Sequence, residues 1–195
     1  MRLRYGALAL IIAQSVQASP NPEALIRLQV ASMDSTKADT VRHDRAIDDA
    51  ERCWVEQTEK ALVMEMAKNK ALAQRMSNER LRRELLHTIY YEAKRAGLEP
   101  ALVVSVIRGE SNFRKYAISS AGARGYMQVM PFWADIVGAP SGDLFNVRTN
   151  IRLGCAILRS YLDKENGDIS LALARYNGSR GSDVYPNYIY AFWVN

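Results

Sequence analysis

Glu110 sits just beyond an apolar run, Ala101 to Ile107, and is followed by Ser111, Asn112 and Phe113. A carboxyl at the end of a buried helix loses water, which disfavours its charged form and raises its pKa. A general acid working near neutral pH needs that property. Alone the signal is weak, because most glutamates at helix ends face solvent or an arginine. Other chemistries lack their parts. The chain has two cysteines and two histidines, too few for a protein-built zinc cage of about four such ligands. No metal ligand is assigned and no cofactor is expected. His43 and His87 lie outside every motif and read as surface residues, so a serine triad has no base. Gly122 and Gly125 lack the strand and the spacing of a phosphate-cradling loop.

The residues after Glu110 add the missing specificity. Ser119 is followed by Gly122-Ala123-Arg124-Gly125-Tyr126-Met127-Gln128-Val129-Met130-Pro131. Together with Glu110-Ser111 this resembles the catalytic domain of the soluble lytic transglycosylases, relatives of goose-type lysozyme that cleave peptidoglycan. Further matches are Asn150-Ile151 with Gly154, and Ala174 with Tyr176-Asn177. The resemblance covers about residues 85–190.

The resemblance implies a lysozyme-like α domain and a reaction resting on one carboxyl. Glu110 would protonate the glycosidic oxygen between N-acetylmuramic acid and N-acetylglucosamine. As a carboxylate it would then take the proton of the muramoyl C6 hydroxyl, which attacks to give a 1,6-anhydro sugar. The same matches imply that Ser119 and Tyr176 support the acid, Ser119 at the muramoyl sugar and Tyr176 with its hydroxyl near Glu110. Gln128 and Met130 fall at groove or substrate-binding positions, and Asn150 and Asn177 at positions that are structural or groove-lining, Asn150 also suiting a helix cap. Asp135, Asp143, Asp168 and Asp183 occupy no motif position and read as caps or surface residues. Tyr126, Phe132 and Trp133 depart from the family pattern, as does Gly178-Ser179, which leaves the groove's shape open. Tyr185-Pro186 resembles the pair that closes the family domain.

These residues need helices to hold them. From Glu51 to Ala96 an apolar stripe of Leu62, Met66, Leu72, Met76, Leu81, Leu85 and Ile89 predicts one amphipathic helix or two in series, with Asn78 as an interruption. Gly97 stops it and Glu99-Pro100 restarts the chain in a buried helix. Ser119–Pro131 reads as irregular or a small hairpin. Asp143 to Glu165 reads as a helix on which Gly154 lets another element come close. Asp168 caps a helix over Ile169–Tyr176, and a last helix falls near Tyr188–Val194. The fold class is mostly α, a lysozyme-like domain over 85–195 preceded by a polar lead-in and helical arm over 19–84. Residues 19–50 read as a mobile lead-in with one short helix.

Residues 1–18 read as a signal peptide: Arg2 and Arg4, an apolar core, then Val16-Gln17-Ala18 before the cut. The expected location is the periplasm, after secretion across the inner membrane. The 195-residue chain carries +5, from 26 basic and 21 acidic residues. Without Arg2 and Arg4, 24 basic residues remain and the excess falls to +3, which removes the main support for a nucleic-acid partner. The expected partner is the peptidoglycan glycan strand. No stable membrane anchor is expected, because no apolar run reaches the ~20 residues of a span. A cell-envelope protein is a candidate partner of the amino-terminal helices. In an oxidising compartment Cys53 and Cys155 are a candidate disulfide. Two other readings remain open: a goose-type muramidase on the same scaffold, and a weakly active wall-binding or assembly factor of a secretion machine.

Overall fold

Helix punctuation shapes the arm. A computed structural model describes residues 48–193 and, before them, Glu23, Ala24, Ile26, Arg27, Val30 and Ala31. The helical stretch after Asp48 is cut into three: α1 (Asp49–Met66), α2 (Lys70–Arg75) and α3 (Glu79–Arg95). Asn78 interrupts as expected, its side chain accepting from Leu81 N. Asn69 adds a second break in the same way, accepting from Leu72 N. An Asn side chain that satisfies a free N–H restarts a helix in a new direction. Leu62, Leu72, Met76, Leu85 and Ile89 are buried, but Leu81 leaves the stripe and is 61% exposed. Gly97 (φ 65°) ends α3 with Leu98 N donating to Ala93 O and its own N–H to Lys94 O, the left-handed stop that glycine tolerates best.

Buried carboxylates bind the helices together. Glu59 of α1 accepts from Arg82 Nε (3.1 Å) and Arg83 Nη1 (2.6 Å) of α3, while Arg82 Nη1 donates to Met76 O. His87 is half-buried rather than a surface residue, with Nδ1 3.0 Å from Glu51 Oε1. Glu92, fully buried on α3, accepts from Arg148 Nε at 3.1 Å, and Arg152 Nε stands 3.6 Å away. Both arginines belong to α6 (Val147–Lys164).

The core is built from α3, α6 and the apolar helix α4 (Pro100–Ser111), whose Leu102, Val103, Val106 and Ile107 are buried. Helix α5 (Pro131–Ile136) and a 3-10 turn over Ser141–Phe145 precede α6. The helix expected from Asp143 therefore begins later, because Asn146 accepts from Arg148 N and Thr149 N and sets a new start. Helix α7 (Ile169–Tyr176) is capped by Asp168 as expected. The last helix, α8 (Val184–Tyr190), starts earlier than the aromatic tail suggested. Among the described residues there is no strand, only isolated bridges of Arg124 with Ile118 and Val129. The chain is mostly α.

Two expectations fail here. Ile26 and Val30 are buried in the core and Arg27 Nε donates to Ile136 O at 3.0 Å, so the described part of the lead-in is docked. The Cys53–Cys155 bridge is not formed. Cys53 is exposed on α1, where its sulfur accepts from Gln57 Nε2, whereas Cys155 is fully buried in α6. Burial, then the charge of Glu92, pushes the Cys155 thiol well up, which leaves it unreactive. The leader over 1–18 and His43 lie outside the described residues.

Removing one partner of a buried ion cluster strands the others. Glu59→Ala should destabilise the chain by about 3 kcal/mol, against about 0.5 kcal/mol or less for exposed Glu56→Ala. Urea unfolding of the two variants measures the difference.

Candidate active site

Glu110 is the second-last residue of α4. The helix ends because Asn112 and Phe113 adopt left-handed φ values of 48° and 59°, turning the chain sharply past the carboxyl. Asn tolerates this conformation, and burial of the Phe113 ring (2% exposed) compensates for its strain. The carboxyl is half-buried, and burial raises its pKa above the ordinary glutamate value. A single hydroxyl opposes that shift: Tyr185 OH donates to Glu110 Oε1 at 2.5 Å. Burial and then the glutamate's charge push the Tyr185 phenol far above its usual range, so it remains a donor.

Tyr185 reaches Glu110 because α8 packs against α4 at Gly109. A Cβ there would stand 2.4 Å from Ile189 Cδ1 and 3.3 Å from Tyr188 Cε1. The absent side chain lets α8 lie against the turn that carries the acid. Both contacts escaped the sequence reading. The signal for Gly109 was present, since a glycine inside an apolar helix marks a close approach. Tyr185 was marked only as part of the Tyr-Pro pair that closes the domain, and nothing local tied it to Glu110.

Of the residues expected around the acid, Ser119, Gln128 and Met130 lie in or next to one loop that Asn150 and Tyr176 hold from two helices, and several play other parts. Tyr176 OH donates to Met127 O at 2.8 Å, not to Glu110. It remains close enough for the glutamate's charge to raise its phenol further, after burial. Asn150 is 1% exposed and lines no groove. Its Oδ1 accepts from Met127 N (2.8 Å), and its Nδ2 donates to Arg124 O and Leu144 O. Met127 is thus held at its N–H by Asn150 and at its carbonyl by Tyr176. Two glycines make room for this clamp. A Cβ on Gly125 (φ 76°) would stand 2.4 Å from Asn150 Nδ2, and one on Gly154 2.3 Å from Met127 Sδ.

Ser119 Oγ accepts from Ala123 N at 3.0 Å, which closes the turn before the loop. Gln128 takes a left-handed φ of 50°, and its Nε2 donates to Gly125 O and Ala117 O. Its carbonyl oxygen is not used in those bonds. Met130 is half-buried at the start of α5, and Asn177 is exposed at the end of α7. Trp133 fills core, while its neighbour Phe132 is 49% exposed. Asp135, Asp143, Asp168 and Asp183 are all exposed.

The sequence that builds this site has relatives among known proteins. The family model described as the transglycosylase SLT domain matches residues 87–184. A transglycosylase of Enterobacteria phage PRD1 is 36% identical over 91 residues, covering 47% of this chain and 33% of that protein. The membrane-bound lytic murein transglycosylase C of Histophilus somni is 40% identical over 81 residues, 37% of this chain and 22% of that protein. Its Yersinia enterocolitica namesake is 33% identical over 113 residues, covering 50% and 32%. The chain thus spans a third or less of the length of these relatives. A crystal structure of an inactive mutant of the lytic transglycosylase Slt from Pseudomonas aeruginosa aligns with a TM-score of 0.47 and 24% identity, over 84% of this chain and 30% of that one.

The Tyr185 contact has a definite sign. Its hydroxyl favours the carboxylate, so Tyr185→Phe should raise the pKa of Glu110 further. Carbon-detected NMR titration of the glutamate carboxyls in both proteins reads the change, and an unchanged or lowered value would contradict the contact.

Proposed function

The chain belongs to the transglycosylase SLT domain family, and from that premise we propose that it is a peptidoglycan lytic transglycosylase whose reaction rests on Glu110. The carrying observation is a single shielded carboxyl, held up in pKa by burial and partnered by a neutral phenol. Glycosidases that use water pair two carboxylates across the scissile bond, roughly 5–9.5 Å apart. The influences that shift Glu110 are burial and Tyr185, with no second carboxylate among them. The four downstream aspartates face solvent.

In the proposed reaction Glu110 enters protonated and gives its proton to the oxygen linking N-acetylmuramic acid to N-acetylglucosamine. The C1–O bond breaks and N-acetylglucosamine leaves with that proton. The carboxylate, steadied by Tyr185, then takes the proton of the muramoyl C6 hydroxyl. Its oxygen closes on C1 as a 1,6-anhydro ring, and Glu110 returns to its protonated form. No water enters. A nucleophile already carried by the substrate has a large effective concentration, which makes a second protein carboxylate dispensable. Tyr185 acts as a positioning residue. The clamp on Met127 fixes the loop that carries Gln128, whose free carbonyl suits a sugar hydroxyl. Ser119 and Met130 flank that loop, and Asn177, next to Tyr176 at the end of α7, completes the proposed set of glycan-facing residues. The carboxyl chemistry favours this reading over the muramidase, and the built site favours an enzyme over a passive wall-binding factor.

We place the reaction in the cell wall, outside the inner membrane. The leader-like start and the substrate support this. Among the described residues no helix is long and apolar enough to cross a membrane.

Glu110→Gln should lower release of soluble fragments from purified murein by at least about a hundredfold, the scale of losing a general acid, with an unchanged melting temperature. Retained activity would sink the assignment. Because the protonated acid is the active form and its pKa is raised, kcat/KM should hold above the usual carboxylate range. It should fall only as pH climbs through the shifted value. A fall centred on the ordinary glutamate pKa would contradict the site.

A further inference from the structure

A groove of about 490 Å³ opens between α2, the start of α3 and the segment Arg114–Ile118, which follows the turn after Glu110. Arg75, Arg82, Arg114 and Lys115 line it, with no carboxylate among the lining residues. Arg82 is already neutralised by buried Glu59. Among the described residues the other three have no acidic partner. Arg75 Nη1 donates to Asn112 O at 3.3 Å, Arg114 Nε donates to Ser111 O, and Lys115 lies over the Tyr116 ring. The acid felt here is Glu84 of α3, whose charge acts on Tyr126. The rim is also apolar, with Leu81, Tyr116 and Ile118 exposed at 61%, 71% and 65%.

The groove and the catalytic loop are one piece. Phe113 lies in its wall, three residues beyond Glu110. Ala117 O accepts from both Gly125 N and Gln128 Nε2. Phe113, Ala117 and Tyr126 of the groove wall thus belong to the turn after Glu110 and to the loop that carries Gln128.

We propose that this groove holds the carboxylate-bearing peptide substituent of a murein strand whose glycan lies at Glu110. The proposal rests on the transglycosylase reading. On a strand stripped of peptide the anion is the lactyl carboxylate held against each N-acetylmuramic acid ring, whereas the peptides carry their carboxylates out beyond the glycan in company with small alkyl side chains. Unpaired cations beside exposed apolar surface match that combination. A phosphate or a polyanion would use the cations and leave the apolar rim without a partner. Arg75 and Leu81 lie before residue 87, where the family match begins. The arm thus helps to choose which strands are cut.

The double variant Arg75→Ala/Lys115→Ala tests this on two substrates, peptide-bearing murein and glycan strands stripped of peptide by an amidase. On peptide-bearing strands KM should rise about tenfold at unchanged kcat, equivalent to roughly 1.4 kcal/mol of binding. On stripped strands both constants should stay within about twofold of the wild type. An equal loss on both substrates, or no loss on either, overturns the proposal. If wild-type protein cleaves neither substrate, the transglycosylase reading fails and binding alone judges the groove. NMR signals of Lys115 and Tyr116 should then shift with a free acidic tetrapeptide, and not with its fully amidated form or with inorganic phosphate. No shift, or an equal shift with phosphate, overturns the groove assignment.

Discussion

The structure depends on holding one carboxyl at the end of an apolar helix, away from most water. Such a group is costly in its charged form and useful in its neutral form. In the proposed cycle it must also survive ionisation, so a donor has to stand by. Tyr185 is that donor, and its own phenol is too buried and too near the glutamate to ionise. Bringing it there requires α8 to lie against α4, which Gly109 permits. The sharp turn through Asn112 and Phe113 then carries the chain off the helix and into the loop beside the acid.

A second set of contacts keeps that loop in place. Met127 is fully buried and gripped at both backbone atoms, by Asn150 from α6 and Tyr176 from α7. The clamp is polar and buried, so each lost partner leaves an unsatisfied group that costs about 1–3 kcal/mol. Helix α6 is in turn tied to α3 through Glu92, and α3 to α1 through Glu59 and Glu51. Amino-terminal arm and catalytic loop are therefore parts of one mechanical chain. The groove between α2 and Arg114–Ile118 uses that continuity for recognition.

What the sequence revealed divides along physical lines. Local chemistry was legible. The cap at Asp168, the break at Asn78, the stop at Gly97 and the close approach at Gly154 each follow from one residue and its neighbours. The shielding of the Glu110 carboxyl was legible because the apolar run before it sets its surroundings, while its selection as the acid came from the family resemblance. Contacts across long separations were not. Tyr185 meets Glu110 across 75 positions, and its partner depends on how α8 docks. Asn150 was left between a structural and a groove-lining part and Tyr176 was assigned to the acid, whereas the bonds of both go to the Met127 backbone. Ser119 and Gln128 likewise spend polar atoms on the loop itself. The cysteine pairing failed because composition says nothing about which helix face a thiol occupies.

The central claim is that Glu110 works with the substrate's own hydroxyl and not with water. Digestion of purified murein in heavy-oxygen water, read by mass spectrometry of the new chain ends, tests it most directly. The account predicts anhydro ends that carry no heavy oxygen and are one water lighter than reducing ends. Reducing ends labelled with heavy oxygen would show that water is the nucleophile and would contradict it.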